Sequence, residues 1–95
     1  MSNKYSFRTK DFYALLERQK YKCALSGLDL TPQNTIAEHI VPLQQGGKHC
    51  FANIYLVETR VSKLKRNLLE QDVIDIAKAI VAHRERSSSK RKKKG

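Results

Sequence analysis

Two short runs rich in β-branched and aromatic residues, Thr35 to Val41 and Asn53 to Val57, flank a segment that carries Gly46-Gly47. Such runs favour extended backbone, and a glycine-bearing connection lets the chain double back, so the spacing predicts an antiparallel hairpin. Pro42 has no amide hydrogen to give to a ladder and is expected to stop the first strand at about Val41.

Helical patterns surround this hairpin. From Thr9 to Lys20 the residues Phe12, Leu15 and Leu16 recur at helical spacing, with Thr9 placed to cap the start and Asp11 favourable in the first turn. Tyr21 to Leu25 is short and apolar-leaning before Ser26-Gly27 breaks it, and Thr31-Pro32-Gln33-Asn34 reads as a second break. Beyond the second strand Val61, Leu64 and Leu68 predict a helix with Thr59 as an available cap; Ser62, Lys65 and Arg66 share another of its faces. Gln71 to His83 repeats the helical period through Val73, Ile76, Ala77 and Ile80. Ser87 to Ser89 and Lys90 to Lys94 offer nothing to pack and are expected to be disordered. The expectation is an α+β fold: one domain over residues 1–86, with an N-terminal and a C-terminal helix beside the hairpin, and a basic tail over 87–95. No internal repeat is visible.

Ninety-five residues allow one domain with a modest core, so an active site must be compact and local. Lys and Arg number 19 against 9 Asp and Glu, a net charge of +10. Such a surface attracts polyanions, of which nucleic acid is the commonest. Residues 84–95 carry +6 and residues 1–83 carry +4, so the body is basic without its tail. Cys23 and Cys50 form no Cys-x-x-Cys pair, and nothing marks the chain as secreted, so neither a four-thiolate zinc site nor a disulfide is expected. The N-terminus lacks a signal-peptide apolar stretch and no run approaches a membrane span, so no membrane partner is expected and the cytoplasm is the default compartment.

The chemistry-bearing string is Glu38-His39-Ile40-Val41-Pro42-Leu43, then Gly46-Gly47, then Asn53-Ile54-Tyr55-Leu56-Val57, with Lys65 beyond. A carboxylate and an imidazole stand side by side, and an amide follows fourteen residues after the imidazole. That combination suits metal-assisted cleavage of a phosphodiester. Imidazole titrates near neutral pH, where a general base works best, and a hard anionic oxygen suits a hard divalent ion. Over roughly residues 21–67 the string and its strand, loop, strand, helix order resemble the HNH endonucleases, whose fold is called ββα-metal. The resemblance implies that His39 is the general base and that Glu38 is a ligand of a divalent metal, Mg²⁺ with Mn²⁺ or Ni²⁺ as alternatives. It further implies that Asn53 steadies the loop and the imidazole, and that double-stranded DNA is cut to leave 5′ phosphate and 3′ hydroxyl ends.

Two departures from the family pattern stand out. The metal's second protein ligand in the family is a His or Asn nine residues after the middle Asn; here that position is Ser62, a neutral and shorter donor, so weak metal affinity and slow cleavage are expected. Many relatives also hold a structural zinc with two Cys-x-x-Cys pairs; Cys23, Ser26, Glu58 and Val61 occupy those places here, so no structural zinc is expected. Lys63, Lys65 and Arg66 are candidate phosphate contacts, with Lys65 matching a lysine common in the family. Lys90, Arg91 and Lys92 belong to a run that would tether DNA without sequence preference. One such site cuts one strand per event, so a double-strand break would need a homodimer, a partner protein or two encounters.

Each residue alone has a plainer meaning: a hydrogen-bonded strand histidine, a solvated carboxylate, a turn asparagine, a solvated charged helix face. Only the joint spacing promotes them. His49 in the glycine loop is a further possible ligand, and His83, near a helix C-terminus, has no catalytic role. Neighbouring side chains on a strand point to opposite faces, so Glu38 and His39 can serve one phosphate only if the strand ends or bulges there. The rival reading is a DNA-binding module that kept the fold and lost the metal, and RNA is a third possible partner.

Overall fold

The computed structural model describes residues 5–94, with side chains through residue 87. The order is α1 (Thr9–Arg18), β1 (Thr35–His39), β2 (Ile54–Glu58), α2 (Thr59–Lys65) and α3 (Glu70–Lys94), with single 3-10 turns at Leu43–Gln45 and Phe51–Asn53. The strands pair antiparallel with Thr35 opposite Glu58 and His39 opposite Ile54. The class is α+β, with the hairpin and α2 in a ββα arrangement.

A two-stranded sheet is marginal in water and needs packing on it. Here the helices supply it: Leu15 and Leu16 of α1, Ile54, Leu56 and Val57 of β2 and Val61 of α2 form one core with Cys23 and Leu30. Removing each of these large side chains from water contributes about 1.5–3 kcal/mol before the entropy of ordering is subtracted. The free edge of β2 is closed by side-chain chemistry. Gln19 at the end of α1 accepts the Leu56 amide at 3.0 Å and donates to the Leu56 carbonyl at 3.0 Å, and the Ala24 amide donates to the same carbonyl at 3.0 Å. An edge so paired cannot recruit another strand at that point.

Several boundaries differ from the expectations. Thr9 is the first helical residue of α1 and not its cap; the Asp11 carboxylate reaches back to accept the Arg8 amide at 3.0 Å. Thr59 likewise begins α2, and the cap is Glu58, which accepts the Arg60 amide at 2.9 Å, while the Thr59 hydroxyl donates to the Asn34 carbonyl. A carboxylate outcompetes a hydroxyl as acceptor for the amides of a helix start. β1 stops at His39, two residues early, because the Ile40 and Val41 amides turn to the carbonyl and side chain of Asn53. α2 closes at Lys65, leaving Leu64 and Leu68 at the surface.

The largest correction concerns the basic tail. The backbone stays helical through Lys94 where disorder was expected from residue 87; residue 95 lies outside the described residues. Lys and Arg are good helix formers, and cations are favoured near a helix C-terminus. No helix among the described residues is long and apolar enough to cross a membrane.

Candidate active site

Gly47 is the hinge on which the site is built. A Cβ there would stand 1.8 Å from the Val41 carbonyl oxygen, so only glycine lets the loop pass so close to the end of β1. Asn53 closes that approach. Its Oδ1 accepts the Val41 amide at 3.0 Å, and its Nδ2 donates to the Val41 carbonyl at 3.0 Å and the Lys48 carbonyl at 2.8 Å. One side chain therefore bonds both polar groups of Val41, just past the strand end, and ties them to the loop at Lys48. Asn53 acts on the backbone of the loop and does not line the cleft beside it.

Lys65 locks the same strand end from the helix side. Its side chain is fully buried, and Nζ donates to the carbonyls of His39 at 3.2 Å and Ile40 at 3.3 Å. A buried ammonium demands such acceptors. Lys65 is therefore not available to a phosphate, which corrects its place among the candidate nucleic-acid contacts. The helical period turns position 65 toward the sheet together with Val61, while Lys63 stays exposed. Arg66 is exposed too and lines the cleft; it sits at φ 46° in the left-handed region, where the chain leaves α2. The side chains of Lys90, Arg91 and Lys92 lie outside the described residues.

Because β1 ends at His39, the carboxylate and the imidazole are not separated by the sheet. Glu38 and His39 line one cleft of about 250 Å³ with Pro42, Leu43, Gln44, Arg66 and Asn67. The Ser62 hydroxyl donates to Glu38 Oε2, so the helix brings its oxygen to the carboxylate of the strand. Glu38 and His39 are both half-buried, with one cation, Arg66, at the same cleft.

His49 returns from the glycine loop to His39. Its Nδ1 lies 2.9 Å from His39 Nε2, a hydrogen bond between two imidazoles, and its ring meets Tyr5 with centroids 5.2 Å apart. Tyr5 in turn donates to Asp11 of α1 at 3.3 Å; burial, reinforced by the Asp11 carboxylate, pushes its phenol up. Sequence distance hid the pair, since the loop between the two histidines could close in many ways. The signal available was Gly47 and Asn53, which fix how it closes.

Hydrogen bonds join Cys23 to Ser26 and Glu58. Cys23 Sγ accepts the amides of Ser26 and Glu58, each at 3.4 Å, and both cysteines are free thiols. Burial raises the Cys23 thiol, but the hydrogen bonds from Ser26 and the Glu58 amide outweigh it and the net shift is downward. Val61 packs in the core beside them.

As metal ligands, Glu38, which lines the cleft, and Ser62, whose hydroxyl donates to it, offer one carboxylate and one neutral hydroxyl. Mg²⁺ commonly takes one or two protein oxygens and completes its shell with water and phosphate, so this donor set fits a hydrated hard ion and not zinc. Among the described residues no three His, Cys, Asp or Glu side chains stand close enough to hold a metal by themselves. No family model matches the chain, and no curated protein matches it.

Proposed function

We propose that the protein is a metal-dependent DNA endonuclease of the HNH kind, a hydrolase of phosphodiester bonds. The observation that carries this reading is the ended strand: it leaves Glu38, with Ser62 against it, and His39 on one cleft wide enough for a phosphate group. His39 Nε2 is engaged by His49, so Nδ1 is the nitrogen that takes a proton from water. The water oxygen bonds phosphorus in line as the bond to the 3′ oxygen breaks; that oxygen leaves with the electron pair and takes a proton from solvent. Glu38 and Ser62 would hold the divalent ion, Mg²⁺ or alternatively Mn²⁺ or Ni²⁺, which supplies charge stabilisation for the phosphate and the departing oxygen. Arg66 and Lys63 contact the flanking phosphates, and the basic end of α3 adds salt-dependent affinity for duplex DNA. Low sequence specificity follows, because such contacts read no base edges.

Plasmid nicking tests the reading. Supercoiled DNA incubated with Mg²⁺, Mn²⁺ or Ni²⁺ is expected to be nicked by the wild-type chain, and His39→Ala is expected to abolish nicking, a loss of at least about 100-fold. Ser62→Asn, which gives the ion a longer and stronger donor, is expected to raise the rate. DNA binding with no nicking under any of the three ions would replace the enzyme with a DNA-binding module of the same fold.

A further inference from the structure

An imidazole can serve as a base only through a nitrogen that carries a lone pair, and which nitrogen that is depends on what holds the other. In the cleft, His39 Nε2 faces His49 Nδ1 at 2.9 Å. A hydrogen bond between two imidazoles requires one donor and one acceptor, so the pair chooses a tautomer for both rings. His49 is itself held. Its ring lies against Tyr5, and the residue before it is fixed by the Asn53 bond to the Lys48 carbonyl.

We infer that His49 is a positioning residue: its Nδ1 accepts the Nε2–H of His39, fixing that ring in the tautomer whose Nδ1 lone pair faces attacking water. The inference rests on the endonuclease reading and names a residue the sequence could place only as a possible extra metal ligand. The ring-to-ring hydrogen bond already occupies the His49 nitrogen that faces His39. The proton taken from water arrives on Nδ1, Nε2–H remains shared with His49, and the ring is held in one orientation throughout. The assignment links α1 to the chemistry, because Asp11 holds Tyr5 and the Tyr5 ring supports His49.

Two substitutions separate positioning from simple packing. Asn places an amide oxygen near the position of His Nδ1 and keeps the acceptor; Leu fills similar space without one. His49→Leu is expected to lower kcat for nicking roughly 10- to 100-fold, the scale typical of removing a partner that orients a working imidazole, with KM for DNA little changed. His49→Asn is expected to recover most of that loss. Side-chain ¹⁵N shifts of His39 in mildly alkaline buffer give a readout independent of cleavage: protonated Nε2 and bare Nδ1 in the wild type and His49→Asn, and a mixture of tautomers in His49→Leu. A wild-type His39 protonated on Nδ1, a tautomer unaffected by His49→Leu, or an Asn variant no more active than the Leu variant would overturn the inference. If the wild type nicks no DNA, the endonuclease reading fails, and the ¹⁵N shifts still decide whether His49 sets the tautomer.

Discussion

The hairpin with α2 and the outer half of α3 are built on opposite terms. In the first, three polar side chains near the strands are spent on backbone: Asn53 on Val41 and Lys48, Lys65 on His39 and Ile40, Gln19 on Leu56. In the second, Ile76, Ile80 and Val81 are each more than half exposed, and the helix runs on with charge and propensity as its main support. The molecule is accordingly long, 63 × 28 × 17 Å, for a chain of this length. A few long-range bonds can fix the geometry of a cleft in a very small domain, while a helix that runs beyond the core loses the packing that stabilises most helices.

If that contrast is right, substitutions at the strand ends cost far more stability than substitutions on outer α3. The largest effect is expected at Gly47→Ala, where the new methyl would meet the Val41 carbonyl oxygen. Chemical denaturation is expected to show a loss of about 3 kcal/mol or more, a large part of what a small domain has. A loss below about 1 kcal/mol would mean that the loop can relax, and would break the comparison on its rigid side.

Next comes Lys65→Met, which keeps the apolar stem and removes the ammonium, leaving the His39 and Ile40 carbonyls without their donor. The expected loss is about 2 kcal/mol. Stabilisation instead would show that desolvating the ammonium costs more than its two bonds return. Ile80→Ser lies on the other side of the contrast and is expected to change stability by no more than about 0.5 kcal/mol. A larger loss would reveal packing on that exposed face.

The smallest effect is a pH dependence at the junction of β2 and α2. Burial raises the Glu58 carboxyl, but the Arg60 side chain and amide outweigh it and hold it below the ordinary carboxylate range. A depressed folded-state value means that this group's stabilisation is complete above its unfolded value, about 4.3, and is lost as pH falls through the lower folded value. Thermal melts from pH 6 down to pH 3 are expected to fall less steeply in Glu58→Gln than in the wild type; parallel curves would remove Glu58 from the account.

Much of the fold was legible in the residues because it depends on local preference. The hairpin, the helix after it and the helix before it follow from β-branched runs, Gly46-Gly47, Pro42 and helical spacing, and their ends differ by one to three residues. The caps differ from local expectation because Thr9 and Thr59 are good acceptors in isolation, whereas Asp11 and Glu58 are charged and within reach. α3 extends past the expected end because a charge run can be helical in backbone.

The candidate site was legible in part. The sequence by itself determined that a carboxylate and an imidazole are neighbours before a proline, with Asn53 on the far side of a glycine loop. Only the tertiary structure decided that β1 ends where both residues meet one cleft, that Ser62 reaches Glu38, that Lys65 turns inward and that His49 returns to His39. Those outcomes depend on how a loop closes and on which face a helix buries. Both are set by contacts between residues ten to twenty-six positions apart, which no local propensity encodes.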